Sequence, residues 1–379
     1  RRSVDARAIL RSEAMASSIT KLPSSCVFLV TGAAGLVGRR LCTLLLERGA
    51  SMVIAFDIAP PPSELNSIPS NKLTYVRGDL SDIKDVRRAF AAAGSNAKVE
   101  CAFHIGALVG PYFKKDLYHK VNYLGSVNVA DVAKECGCHK IVMSSSPSTR
   151  MDGKDIKWKR EDELSIRPPG KFLEPYAETK AMGETYVLKL NDETSSPPFL
   201  TVAVAPHQVY GPWDGLFLTN FLKAANKLRV FGRGENMISM CHVDNYAHAL
   251  ILGYHGLYKG SPALGKFYIA TDGPPVRLWD VLDHAFVTLG LPSVKAKVHI
   301  PVWFIMPIAY VVQMINRLFG MQMKLKPFSV RMLIIDRTFN IENIERDLKY
   351  KPLKPFEKAF EETLRWFDAN RDFWGGSKK

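Results

Sequence analysis

A tyrosine and a lysine four residues apart, Tyr176 and Lys180 in EPYAETKAMGE, can share one face of a helix and touch. Tyrosine titrates at about pH 10 and is a poor base at neutral pH, but a neighbouring ammonium favours its phenolate. Such a pair can take the proton of a substrate hydroxyl, provided a third group holds the oxygen. The run Ser144, Ser145, Ser146 in IVMSSSPS offers hydroxyls where an apolar stretch ends. Each feature alone has an ordinary reading. Tyr-x-x-x-Lys spacing arises by chance, and serines before a proline are a common turn signal. The order of the surrounding elements decides between the readings.

Those elements alternate. CVFLVTG reads as a buried strand, followed by a glycine turn and a helix through LVGRRLCTLLLERGA. Then come the strand SMVIAFD, the strand KLTYVRGDL, the helix DIKDVRRAFAAAG, the strand VECAFHIGA, a helix over 116–137 and the strand HKIVMSSS. The helix with Tyr176 and Lys180 and the strand FLTVAVAP complete the series. Strands alternating with helices predict an α/β protein, a Rossmann-like doubly wound parallel sheet whose strand ends receive ligands. The serine run would then lie at the end of the fifth strand. The 379 residues divide into a tail over 1–24, a dinucleotide-binding domain over 25–210 and a smaller substrate-binding region over 211–379. Some later pieces of that region are expected to return to the sheet.

The first turn, VTGAAGLVGRR, carries Gly32, Gly35 and Gly38 between strand and helix. Glycines there let backbone N–H groups reach a pyrophosphate at the positive end of the helix dipole. Asp57 closes the second strand, where an acid accepts the adenosine ribose hydroxyls. A carboxylate repels a 2′-phosphate and no arginine immediately follows it, so NAD is expected and NADP disfavoured. Asp79 and Leu80, in RGDL, are placed for an adenine, although Asp79 alone reads as the N-cap of the next helix.

An apolar fraction of 47% with 23% charged residues describes a globular chain. The net charge of +14 is spread without a long Lys/Arg block, which argues against nucleic acid and suits anionic lipid or an anionic cofactor. None of the six cysteines has CxxC spacing, so no metal site is expected and reduced thiols fit a reducing compartment. The opening RRSVDARAILRSEAMASS reads either as the remnant of a targeting segment or as a plain tail. The segment 299–321 has its strongest apolar stretch from Ile300 to Met314, interrupted by Pro301, Pro307 and Gln313. A spanning helix needs about 20 apolar residues, so this one is short and broken for that task. With Lys295 and Lys297 before it and Arg317, Lys324 and Lys326 after it, it reads as a helix lying in one leaflet, or as a core helix or lid.

Together, TGAAGLVG, GDL at 78–80, SSS at 144–146 and YAETK at 176–180 resemble the extended short-chain dehydrogenases/reductases. VYGPWD, HVDNYAHAL and GKFYIATDG resemble their 3β-hydroxysteroid dehydrogenase/isomerase branch, and within it the sterol-4α-carboxylate 3-dehydrogenases. The resemblance spans about residues 26–370 and implies roles by position. Tyr176 would be the general base, Lys180 its pKa-lowering and ribose-binding partner, and Ser146 the holder of the reacting oxygen. Gly32, Gly35, Leu36, Val37 and Gly38 would line the pyrophosphate, with Asp57 on the ribose and Asp79 and Leu80 at the adenine. Gly106 and Ala107 would flank the cofactor, and Pro206, Gln208 and Val209 would pass the nicotinamide amide. Ala205 stands where the family more often has arginine, and STR stands where an aromatic commonly follows the serines. The implied activity is NAD-dependent oxidation of a sterol 3β-hydroxyl, with loss of CO2 if the substrate is a 4α-carboxysterol. A nucleotide-sugar epimerase or reductase, or a non-catalytic nucleotide-holding subunit of an organelle membrane complex, are the alternatives. The resemblance turns the apolar segment toward membrane association and implies the endoplasmic reticulum, with mitochondrion or plastid as alternatives. It allows a homodimer or a membrane-complex subunit.

Overall fold

Apolar runs closed by Gly, Asp, Ser or Pro become strands in the computed structural model, which describes residues 21–95, 97–110, 113–319, 323 and 325–376. The tail over 1–20 and the basic flank at Lys324 lie outside the described residues, as does the side chain of Arg317. Seven strands form one parallel sheet: β1 (Val27–Thr31), β2 (Met52–Asp57), β3 (Leu73–Arg77), β4 (Val99–His104), β5 (Lys140–Ser144), β6 (Leu200–Pro206) and β7 (Phe267–Ala270). Their order is β7-β6-β5-β4-β1-β2-β3. The chain runs outward from β1 to β3, then crosses back to β4 on the other side. Loops therefore diverge above β1 and β4 and leave a crevice at the carboxyl ends.

The two faces of the sheet are filled by alternate residues of each strand. Phe28 and Val30 of β1 and Val53 and Ala55 of β2 join one core, with Leu41 and Leu45 of helix α1 (Leu36–Glu47). Val27, Leu29, Ile54 and Phe56 join the other, with Val86 of α2 (Ile83–Ala91) and Val129 and Ala133 of α3 (Gly125–Glu135). Val187 of α4 (Pro175–Lys189) lies in this second core, and Tyr246 and Leu250 of α5 (Val243–His255) lie in the first. Thus α5 and β7, both from beyond residue 211, belong to the main body. A third core built around Trp279, Phe286 and Phe360 holds other C-terminal elements, beside a small sheet of four short strands, while Ile344 and Leu348 return to the first core and Phe339 to the second.

Two helices differ from expectation. The segment expected as one helix over 116–137 begins at Lys115 and passes through a π-helical stretch, His119–Leu124, before α3. Within that stretch the Asn122 carbonyl accepts a hydrogen bond from Ser126 Oγ at 2.6 Å. The apolar segment near 300 is not broken: α6 (Val302–Phe319) is continuous, with Pro307 inside it. Pro307 deprives the carbonyl of Trp303 of its partner, but Trp303 is 76% exposed in the first turn, where water can replace it. Ile305 and Ala309 pack inward, at 7% and 0% exposure, whereas Phe304, Val311, Met314 and Leu318 face out. Among the described residues, no helix is long and apolar enough to cross a membrane.

Candidate active site

The first turn is shaped for close approach. A Cβ on Gly38 would stand 2.0 Å from the carbonyl oxygen of Gly32, and one on Gly32 (φ +72°) would stand 2.6 Å from Gly106 Cα. No side chain caps α1, whose N-cap is Gly35, so the first amides, including those of Leu36 and Val37, are offered to a ligand. A glycine loop whose backbone is drawn close and an uncapped helix start fit a pyrophosphate. At the end of β2, Asp57 Oδ2 accepts from the Ala34 amide and Oδ1 from the Ala59 amide, each at 2.9 Å. Asp57 is thereby tied to the glycine loop. Gly106 and Ile105 each donate an amide to Thr31 Oγ1 at 3.1 Å, which sets the loop carrying Ala107 beside that turn. Leu80 packs on Gly106. Asp79 is not the helix N-cap. Its carboxylate accepts from the Ser81 amide at 2.8 Å, and Asp82 caps α2 by accepting from Lys84 N. The cap follows the true helix start, three residues later than the strand end suggests. At the end of β6, past Pro206, Gln208 adopts a left-handed φ of +41°, and its carbonyl accepts from the Cys241 amide at 3.2 Å. Val209 pairs with the same cysteine in a short two-stranded ladder.

The three serines have separate fates. Ser144 Oγ is buried against the Tyr246 hydroxyl at 2.7 Å, and Ser145 Oγ is buried and donates to Glu184. Ser146 is half-buried, caps the short turn Pro147–Arg150, meets Ser148 Oγ at 2.8 Å, and is the serine that pulls on the Tyr176 phenol. Tyr176 sits in the first turn of α4, where Pro175 opens the helix, and its ring meets Tyr118 edge-on at 6.2 Å. Lys180, one turn further, is buried and donates to the Ser144 carbonyl at 2.6 Å. That bond locks α4 to β5 and sets Tyr176 opposite Ser146.

Burial governs both titrations. It holds Lys180 down at about 8, with the charge of Glu184 working the other way. It pushes Tyr176 up to about 12, with Ser146 pulling down and Tyr118 adding to the rise. Desolvation therefore sets the direction for the tyrosine, and the expected lowering by its lysine is not found: the ammonium is directed at a strand carbonyl.

Two neighbours of the site were missed in the sequence. Asn122 holds the loop after β4 through both its amide atoms: Oδ1 accepts from Leu108 N at 2.8 Å and Nδ2 donates to Leu108 O at 3.0 Å. His104, at the end of β4, bridges Thr31 Oγ1 and Ser126 Oγ, each at 2.9 Å. Ser126 donates to Asn122 O, so His104 Nε2 is the donor to Ser126 and Nδ1 accepts from Thr31. Burial, then the Lys180 charge, hold His104 down at about 3, so it is neutral. A lone polar residue on an otherwise apolar strand or helix face was the available signal.

Behind the serines lies a buried ion pair. Arg150 Nη2 meets Glu184 Oε1 at 2.7 Å with the two side chains 7% and 0% exposed, and the guanidinium stacks 3.4 Å over Phe267 of β7. Nearby Glu161 is also buried, and desolvation raises its carboxyl to about 7, only partly offset by its own amide, Arg150 and Asn343. A carboxyl with a raised folded pKa favours folding while protonated, and that contribution is lost as pH rises from about 4.3 through about 7. Glu161→Gln should therefore flatten the fall in stability over that window, as read by urea melts at pH 4.5 and 7.5. An unchanged slope would refute the assignment.

A dinucleotide cradle, an acid at the second strand end and a Ser–Tyr–Lys set on β5 and α4 define a dehydrogenase that acts on a hydroxyl group. Residues 29–301 match the 3-beta hydroxysteroid dehydrogenase/isomerase family, and the chain belongs to that family. The 3beta-hydroxysteroid-dehydrogenase/decarboxylase isoform 1 of Arabidopsis thaliana is 30% identical over 375 residues, covering 93% of this chain and 82% of the relative. The human sterol-4-alpha-carboxylate 3-dehydrogenase, decarboxylating, is 30% identical over 345 residues, covering 89% and 87%. Among solved structures, an epimerase from Methanothermobacter thermautotrophicus superposes with a TM-score of 0.70 at 20% identity, covering 95% of this chain and 97% of its own. A dTDP-glucose 4,6-dehydratase double mutant from Streptomyces venezuelae, with NAD and DAU bound, gives 0.67 at 20% identity, covering 92% and 98%. These last two likenesses establish the fold alone.

Proposed function

We propose that this chain oxidises the 3β-hydroxyl of a sterol bearing a 4α-carboxylate, with NAD as coenzyme, and that CO2 is then lost. The observation that carries this reading is the placement of Ser146 at the end of β5 beside Tyr176 of α4, in a sheet whose β1 end bears the uncapped cradle and whose β2 end bears Asp57. Two relatives named for dehydrogenation with decarboxylation support the substrate class. When bound, NAD supplies the hydride acceptor. Ser146 Oγ holds the substrate oxygen, and Tyr176 Oη receives the hydroxyl proton as the carbonyl forms. Lys180, on the same helix face, carries the positive charge that favours the phenolate once substrate and coenzyme adjust the site. The new ketone lies β to the carboxylate. The bond from C4 to the carboxyl carbon then breaks, its electron pair passes into the enolate at C3, and a proton returns to C4. Ser146 and Tyr176 remain in place to hydrogen-bond the enolate oxygen.

The outward face of α6 belongs to the same reading. Trp303, Phe304, Val311, Met314, Leu318 and Phe319 are exposed together, with Lys295 and Lys297 upstream and Lys326 downstream. Such a face, backed by a packed side, suits a helix lying at the surface of a bilayer that supplies an apolar substrate. Membranes containing the protein, incubated with NAD and a panel of sterols, should convert a 4α-carboxysterol to a product lighter by CO2 and two hydrogens in mass spectrometry. Loss of two hydrogens alone would limit the activity to dehydrogenation, and turnover of sugar nucleotides in place of sterols would refute the reading.

A further inference from the structure

Beside Asp57 the fold assembles two arginines and a second acid that lie far apart in sequence. Arg39, in the first turns of α1, folds back over the glycine loop and donates from Nη2 to the Ala34 carbonyl at 2.9 Å. Ala34 is the same residue whose amide is held by Asp57. Arg77, the last residue of β3, donates from Nε to the carbonyl of Ile58 at 3.0 Å. Tyr75 lies between them: its hydroxyl donates to the Ala59 carbonyl at 2.8 Å, and the charges of Asp57, Arg77 and Arg39 all act on it. Two guanidinium groups therefore flank residues 57–59. A ribose held by Asp57 presents its 2′-position to that segment.

Arg39 does not stand free to meet a phosphate there. Glu64, on the short helix Ser63–Asn66, lies 3.6 Å from its Nη1. The Trp213 ring covers the guanidinium at 5.0 Å, and Nε is buried without a hydrogen-bond partner. The formal charges of Arg39, Arg77, Asp57 and Glu64 cancel, so a 2′-phosphate dianion entering this group would find no net attraction.

We propose that Glu64 is a second coenzyme-selecting residue: it holds and neutralises Arg39, so that the paired arginines beside Asp57 form a masked 2′-phosphate site. Asp57 repels the 2′-phosphate directly, and Glu64 removes the cation that would otherwise compensate. This rests on the NAD reading, and deepens it by naming what refuses NADP.

The test is the affinity of the purified full chain for NADH and for NADPH, measured separately by fluorescence titration with no substrate present. Glu64→Gln should improve NADPH relative to NADH by about tenfold, because Arg39 gains its freedom while Asp57 stays. Adding Arg39→Ala to Glu64→Gln should erase that gain, and Arg39→Gln takes its place should the alanine variant fail to fold. A ratio unchanged by Glu64→Gln overturns the proposal, as does a gain that survives loss of Arg39. Wild-type protein binding neither nucleotide would instead overturn the NAD reading itself.

Discussion

Tyr176→Phe is expected to lower turnover by about 10²–10⁴-fold while leaving NADH affinity within about threefold of wild type. The substitution removes one oxygen, the phenol hydroxyl on which Ser146 acts, and keeps the ring that packs edge-on against Tyr118. The helix that carries it is unaffected, because Pro175 still opens α4 and Lys180 still reaches the Ser144 carbonyl. Initial rates on the sterol substrate, paired with a fluorescence titration of NADH, separate the two quantities. A variant with full activity would remove Tyr176 from the chemistry. One that lost nucleotide binding in the same proportion as turnover would reassign it to holding the coenzyme.

Glu184→Ala should cost about 3–5 kcal/mol of folding stability, among the largest effects of any single substitution in this chain. Glu184 is fully buried and receives Arg150 at 2.7 Å as well as the Ser145 hydroxyl. Removing it strands a guanidinium in an enclosed site against Phe267, without the carboxylate that receives bonds from both Nη1 and Nη2. The expected readout is a large drop in melting temperature. Joint replacement, Arg150→Met with Glu184→Leu, should recover most of the loss, since it leaves no unpaired charge. A Glu184→Ala protein as stable as wild type would show that the pair contributes nothing. The same substitution bears on catalysis, because the Glu184 charge supports the protonated form of Lys180. Its loss lets burial depress Lys180 further below about 8, so a smaller fraction of the protein carries the ammonium at neutral pH.

Much of the molecule was readable from local pattern. The ends of β1, β2 and β5 follow from apolar runs stopped by Gly, Asp or Ser, whereas β4 ends at His104, three residues before the expected strand VECAFHIGA does; alternation with helices implied the parallel sheet. The glycine spacing pointed to the tight first turn because close backbone approach is a requirement visible in the residues that must meet it. Three features resisted for different reasons. The π-helical stretch at His119–Leu124 depends on a side chain one turn away capturing a carbonyl. Asp79 and Asp82 are both acids after a strand, and only the position where the chain enters α2 distinguishes the cap. The continuity of α6 across Pro307 depends on which side of the helix meets solvent.

Residue order alone was enough to place Tyr176 and Lys180 on one helix face, to set three serines at a strand end, and to put an acid after β2. These are constraints of spacing over a few residues, and the backbone geometry of helix and strand enforces them wherever they occur. Folding decided the partners of the three serines, since Ser144 and Ser145 are claimed by Tyr246 and Glu184 from other elements and Ser146 is not. It decided that Lys180 points at a strand carbonyl and that burial, not a neighbouring charge, dominates the Tyr176 phenol. It also brought Arg39, Arg77 and Glu64 to an aspartate with no adjacent arginine in sequence. Desolvation and charge act through space, and the distances they act over exist only once the chain has closed on itself.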